Sequence, residues 1–299
     1  MTEFRQLSIW VTGCAGFLGT RLTGHLASLG HSVVGLSRRE CGAERSFAID
    51  LAAEDASQKL ADLIREIGRP DVVIHAAAKQ PGPGKLFDFI RSNFKTTENL
   101  VEALRHSPPP LIIYTSTQSV YAGGASLPVS ETSPAPGKLP YSATKRWAEQ
   151  LLESFAAESR VVVLRLPSLY GVGQADSFID GLARLALRNE PIELFSGGQL
   201  IRDALHVSDV AEAVSSCLQQ PLEKSFAVLN LGCGRAIRTR EYAEALINAL
   251  ESKSVIVASD RVASQTDLYA DIENARQLVG FQPTSLEQSM KIYAAELRA

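Results

Sequence analysis

Tyr141 and Lys145 stand four residues apart in Tyr141-Ser142-Ala143-Thr144-Lys145, a spacing that can do acid/base chemistry. Trp147, Leu151, Leu152 and Phe155 recur at helical spacing after them, which predicts a helix over 141–158. Positions i and i+4 share one face of a helix, so the phenol and the ammonium share a site. A free tyrosine, with a pKa of about 10, is a poor base at neutral pH. A fixed positive charge beside it favours the phenolate. The pair can then move a proton on and off a substrate hydroxyl or carbonyl. Many helices carry Tyr and Lys at this spacing with no such role, so the surrounding elements must carry the argument.

The run 7–11 reads as a buried strand and 20–29 as a helix, with Thr12-Gly13-Cys14-Ala15-Gly16-Phe17-Leu18-Gly19 between them. In that setting Gly13 permits a tight turn, Gly16 lets backbone approach a pyrophosphate, and Gly19 lets helix pack on strand. Exposed amides at the helix start make an anion site, so Phe17 and Leu18 join the glycines as cofactor-binding candidates. The spacing is GxxGxxG, not GxGxxG, and a packing turn without a ligand is the competing reading. A second strand, 31–36, runs into Ser37-Arg38-Arg39. An acid there would take the ribose hydroxyls of NAD. A small hydroxyl and two guanidiniums suit a ribose 2′-phosphate, because arginine grips phosphate bidentately. NADP is therefore favoured over NAD, the alternative being two arginines on a solvated loop.

Strands and helices alternate to about Arg165, which implies an α/β fold with a doubly wound parallel sheet. Residues 48–51 form a short strand whose Asp50 either accepts from the adenine amino group or caps the next helix. Strand 71–78 contains His75, read as a core or strand-end histidine. It ends in Ala76, Ala77 and Ala78, small enough to let a ligand pass. Helix 86–105 contains Asn93, which faces solvent or holds an ordered water behind the site. Strand 111–114 runs into Thr115-Ser116-Thr117-Gln118-Ser119, a hydroxyl cluster at the end where open parallel sheets bind ligands. Strand 161–165 follows the Tyr-Lys helix.

The 299 residues give ample room for a core, and a net charge of −3 without a basic stripe argues against nucleic acid as a partner. The four cysteines, Cys14, Cys41, Cys217 and Cys233, are scattered without CxxC spacing. Neither a metal site nor a disulfide is expected, and a reducing compartment fits. No apolar run approaches bilayer length and the N-terminus has no signal-peptide pattern, so the expectation is a cytoplasmic protein with no membrane partner.

In order, TGCAGFLG, DVVIHAAA, TSTQSVYAG, YSATK, RLPSLYGVG, IRDALHVSDVAEAV, LNLGCG and YADIENARQLVGFQP resemble the extended short-chain dehydrogenase/reductase family. The resemblance is to its NAD-dependent nucleotide-sugar epimerase/dehydratase branch and covers nearly the whole chain. It implies a Rossmann-like domain of 1–168 and 205–231, and a smaller interleaved substrate-binding lobe of 169–204 and 232–299. It implies Tyr141 as acid/base on the sugar hydroxyl, Lys145 lowering its pKa and holding the nicotinamide ribose, and Thr117 on the reacting oxygen. The glycines would hold the pyrophosphate and Asp50 and Leu51 the adenine. Ala76, Ala77, Ala78, Asn93 and Pro167 complete the cofactor set. Gln118, Ser119, Ser168, Arg202 and Arg261 would face the substrate, the arginines on its diphosphate. In the family, helices matching 86–105 and 141–158 pair across a dimer, which implies a homodimer.

Departures from the family pattern narrow the activity. Dehydratases carry Asp-Glu where this chain has Gln118 and Ser119, so a 4,6-dehydratase is disfavoured. Epimerase-reductases use a cysteine near Ser119, and Ser168 replaces a frequent asparagine. The expectation is an NAD(P)-dependent oxidoreductase or epimerase acting at a hydroxyl or keto carbon, C4 above all, of a nucleotide-linked sugar. An epimerase returns its hydride and usually retains NAD, whereas a 4-keto reductase consumes NADPH; the same groups serve both. Reduction of a non-nucleotide carbonyl or sugar is the alternative, and a non-catalytic NADP-binding regulator the remote one.

Overall fold

Ser8–Thr12 (β1) is buried along almost its whole length, as a parallel strand covered on both faces must be. In the computed structural model, which describes residues 5–299 apart from 83, 122–124, 175–176, 221 and 263–264, β1 lies inside a seven-stranded Rossmann-like sheet. After it come Phe17–Ser28 (α1), Ser32–Ser37 (β2), Arg45–Ala48 (β3), Ala56–Ile67 (α2) and Val72–His75 (β4). Next are Leu86–Phe89 (α3), Lys95–Leu104 (α4), Leu111–Thr117 (β5), Pro140–Ser154 (α5) and Arg160–Leu166 (β6). The sheet order is Phe226–Asn230, β6, β5, β4, β1, β2, β3. The ladders β1–β2, β1–β4, β2–β3 and β4–β5 are parallel. From β1 the chain builds outward through β2 and β3, then crosses to β4 and builds the other way. The reversal puts a crevice at the carboxyl ends of β1 and β4, where open α/β sheets bind ligands.

Several elements differ in extent from those expected. α1 starts at Phe17 rather than Thr20, because Gly16 already caps it and accepts the Thr20 amide. β3 ends at Ala48, since the Asp50 carboxylate accepts the Ala52 amide at 3.0 Å and turns the chain away. The single helix over 86–105 is interrupted by a π-helical turn, Ile90–Phe94. There the Lys95 amide donates to the Ile90 carbonyl five residues back, and the hydroxyls of Thr96 and Thr97 donate to the Asn93 carbonyl at 2.9 and 3.1 Å. α5 starts at Pro140, whose missing N–H costs nothing at a helix start. It ends at Ser154, where Phe155 and Ala156 make tighter i−3 bonds and turn into the core.

The chain divides into two compact units. One comprises Met1–Ala122, Ala135–Arg165 and Val214–Leu229; the other comprises Gly123–Pro134, Leu166–Ala213 and Asn230–Ala299. Segments 123–134 and 205–213 thus fall in the second unit. Its core gathers Tyr170, Tyr242, Met290 and Tyr293 among helices Phe178–Leu187, Thr239–Leu250 and Leu286–Arg298. Two short parallel pairs complete it, Ile192–Leu194 with Ile256–Ala258 and Ser168–Tyr170 with Ala204–His206.

Candidate active site

At the crevice, Gly13 turns with φ +72° and donates its amide to the Leu36 carbonyl at 2.7 Å. A Cβ there would lie 2.8 Å from the Ala77 backbone, so β4's end sits directly on the turn. Gly19 packs on the loop itself: a Cβ would collide with the Gly13 carbonyl oxygen and stand 2.8 Å from Cys14 Cα. Gly16 is exposed at the start of α1, with no side-chain cap and no acid in the first turn. The first amides of a twelve-residue helix are thereby open to an anion, with Phe17 and Leu18 half-buried beside them. These residues fit the pyrophosphate of a dinucleotide.

A buried hydrogen-bond chain fixes the two strand ends. Thr12 Oγ1 accepts the amides of Ala76 and Ala77 at 3.1 and 3.2 Å, so its own proton goes to His75 Nδ1, 2.7 Å away. His75 Nε2 then carries the ring proton and donates to Thr97 Oγ1 at 3.0 Å, which in turn donates to the Asn93 carbonyl. Burial first, and the Lys145 charge second, lower His75 to about 3. It is a neutral core histidine. Asn93 is buried, with its carboxamide on the Lys79 amide at 2.7 Å, the Lys79 carbonyl and Thr144 Oγ1. The solvent-facing alternative for Asn93 is excluded; it ties the loop after β4 to α5.

Thr117 ends β5 and Tyr141 opens α5, with the Thr117 side chain acting on the Tyr141 phenol. Lys145 follows one turn along, buried, its Nζ 4.2 Å from the Tyr114 ring centroid. Burial holds the Tyr141 phenol up at about 12, against the pull of Thr117. Burial lowers Lys145 to about 7, with Glu149 acting in the opposite sense. The lowering of the phenol's pKa expected from the Lys145 charge is not what the fold gives, because desolvation raises it. Glu149, absent from the sequence reading, is fully buried one turn beyond Lys145. It accepts Arg165 Nε and Nη2 at 3.1 and 2.7 Å, Arg146 Nη1 at 3.1 Å, and the Ser116 hydroxyl. Arg165 Nη1 also donates to Tyr121 Oη at 2.9 Å. A carboxylate continuing the Tyr-Lys stripe of an inward helix face was the available signal. Gln118 is buried, and Ser119 closes the short turn by donating its amide to Thr117 Oγ1 at 3.1 Å.

In the loop after β2, Arg38 and Arg39 are exposed, and the Ser37 hydroxyl donates to the Arg39 carbonyl. Asp50 is not the cap of α2, which is Asp55; it closes its own turn onto Ala52. Leu51 is buried, its carbonyl accepting from Asn99 Nδ2 at 2.8 Å, a contact the sequence did not reveal. The expected absence of disulfides is corrected, because Cys14 and Cys41 are bonded. The glycine at position 35 leaves room that brings the two sulfurs together over β2.

In the second unit, Pro167 and Ser168 are half-buried, and the Ser168 amide donates to Asp203 O at 3.3 Å. Arg202 donates to Gln265 Oε1 at 2.9 Å with its guanidinium 5.6 Å from the Phe178 ring centre. Arg261 is largely exposed, 3.7 Å from Glu193 and stacked over Phe195.

The model of the NAD dependent epimerase/dehydratase family matches residues 9–232. UDP-glucose 4-epimerase of Azospirillum brasilense is 28% identical, over 92% of this chain and 87% of its own. The solved structure of MoeE5 in complex with UDP-glucuronic acid and NAD is 31% identical at a TM-score of 0.84, covering 97% of this chain and 99% of that one. UDP-glucuronic acid 4-epimerase from Bacillus cereus, with UDP-glucuronic acid and NAD, is 26% identical at 0.82, covering 98% and 99%. The preference for NADP drawn from Ser37, Arg38 and Arg39 finds no support in the family model or in these two solved structures, whose stated cofactor is NAD.

Proposed function

The chain belongs to the NAD-dependent epimerase/dehydratase family, and from that premise we propose that it is a 4-epimerase of UDP-linked sugars. The observation that carries the reading is Tyr141 at the start of α5, one turn before buried Lys145, with Thr117 at the carboxyl end of β5 acting on its phenol. Tyr141 takes the proton of the substrate's ring hydroxyl and returns it, Thr117 holds the same oxygen, and the Lys145 ammonium favours the phenolate. A bound nicotinamide dinucleotide supplies removal and return of hydride at that carbon. Gly13, Gly16, Phe17, Leu18 and Gly19 receive its pyrophosphate, Asp50 and Leu51 its adenine, and Ala76, Ala77, Ala78, Asn93 and Pro167 line its path. Gln118, Ser119 and Ser168 contact the sugar, and Arg202 and Arg261 the diphosphate.

NAD is the cofactor that kinship favours. The second reading is NADP, favoured by Ser37 standing where an acid would take the ribose hydroxyls. The protein acts in the cytoplasm as a homodimer; among the described residues no helix is long and apolar enough to cross a membrane. The test is to incubate purified protein with UDP-glucose or UDP-glucuronic acid and follow inversion at C4 by NMR, with NAD or NADP added. Tyr141→Phe is expected to abolish turnover, a loss of at least about a hundredfold, and to leave dinucleotide affinity unchanged. Inversion that survives in the variant would sink the assigned mechanism.

A further inference from the structure

Cys14 and Cys41 join two loops that the sheet brings to the same end. Cys14 belongs to the glycine turn, whose Gly13 amide is already bonded to Leu36 at the end of β2. Cys41 belongs to the loop that follows β2 and carries Arg38 and Arg39. The bonded sulfurs lie over Gly35, where a Cβ would collide with both. A glycine and a cysteine from β2 and the loop after it, and a cysteine 27 residues before that one, thus make one site. Apart from the disulfide, that loop is held by the Ser37 hydroxyl on the Arg39 carbonyl and by the Cys41 amide on Ser46 Oγ at 3.1 Å. Arg38, Arg39 and Glu40 are exposed.

We propose that Cys14 and Cys41 form a reversible thiol–disulfide site, opened by thiol reductants, whose oxidised form pins the adenosine-side loop to the glycine turn and strengthens dinucleotide binding. The proposal rests on the dinucleotide reading of the glycine turn. Cys14 is fully buried and Cys41 half-exposed, so an incoming thiolate meets the Cys41 sulfur. It bonds to that sulfur and displaces Cys14 as a thiolate. A second reductant thiolate then attacks the reductant's sulfur in the mixed disulfide and releases Cys41. Two reductant thiols become one disulfide, and their two electrons and two protons end on the two cysteines. Cys217 and Cys233 stand apart from this exchange: burial pushes both thiols up to about 12, leaving little thiolate to attack. In the oxidised form the loop's ordering is already in place, so that part of the entropic cost is not incurred on binding.

The full-length protein is treated under native conditions with dithiothreitol or with oxidised glutathione, then denatured and alkylated, and adducts are counted by mass. Four adducts are expected after reduction and two after oxidation, from the four cysteines of the chain. NAD and NADP are then titrated calorimetrically against each form and against Cys41→Ser. The oxidised form should bind the preferred dinucleotide about tenfold more tightly, or about 1.4 kcal/mol. Cys41→Ser should match the reduced form whatever the redox treatment. A count that stays at two or at four under both treatments overturns the reversible site. Equal affinity in the two forms, or tighter binding by the reduced one, overturns the coupling and leaves the cofactor assignment standing. Failure of either form to bind either dinucleotide would remove that assignment and the proposal with it.

Discussion

Glu149 decides how much charge Lys145 carries. The carboxylate is bound by Arg165, Arg146 and Ser116, and its field raises the ammonium's pKa against burial. In Glu149→Gln the Lys145 pKa should drop below about 7, so less of it is charged at neutral pH. The sign follows: activity that needs a charged Lys145 starts to fall at a lower pH on the alkaline side. A one-unit displacement of that limb, with about a tenfold loss of kcat above it and little change in KM, is the expected result. Glu149→Asp keeps the charge and should leave the limb where it is. If Asp and Gln move it alike, Glu149 serves packing and not electrostatics. Stability should also fall in Glu149→Gln, because breaking a buried ion pair by removing one partner costs roughly 3–5 kcal/mol. Urea unfolding measures that separately from the pH profile.

The same helix face shows what was legible from the chain alone. Tyr141 and Lys145 were legible as neighbours because their spacing puts them on one helix face, and Thr117 was placed through the family resemblance, whereas Arg165 meets Glu149 from another strand and no local pattern announces it. Among the elements, the order strand, glycine turn, helix was legible, and so was the parallel sheet. The π-helical turn at Asn93 was not, because the apolar spacing of 86–105 reads as one uninterrupted helix. Nor was the Cys14–Cys41 bond, which needs β2's Gly35 beneath it. The fit of α1 onto the glycine turn gives a prediction with its own control. Gly19→Ala drives a Cβ into the Gly13 carbonyl, backbone on both sides, so helix and turn must part. A loss of about 1–3 kcal/mol of stability is expected, as for overpacking elsewhere, together with weaker dinucleotide binding. Gly24→Ala, in the same helix with nothing within 4 Å of the new Cβ, should instead stabilise by about 1 kcal/mol. Equal effects of the two substitutions in urea unfolding would show that helix propensity, not the close approach, governs Gly19.

At the scale of the whole molecule, the outer face of α3 and α5 is the part the monomer does not explain. Phe87 is 80% exposed and Leu139 66%, with Leu86 and Trp147 each at 40%. Phe94 meets the Trp147 ring edge-on at 6.5 Å, so the aromatic patch is continuous from the π-helical turn to α5. Burying one such side chain fully contributes about 1.5–3 kcal/mol, and a two-fold interface buries each of them twice. A homodimer through this face therefore gains from every exposed residue named, while Tyr141 and Lys145 project from α5 into the protein. Phe87→Glu and Trp147→Glu place a charge on the face without touching the core, so the fold should be retained by circular dichroism. Light scattering should find the wild type dimeric and both variants monomeric at about 10 μM, because a charge left unpaired at a buried interface costs several kcal/mol. A wild-type monomer at that concentration would refute the dimer. Dimers in both variants would place the interface on some other face, and the aromatic patch would then need a different partner.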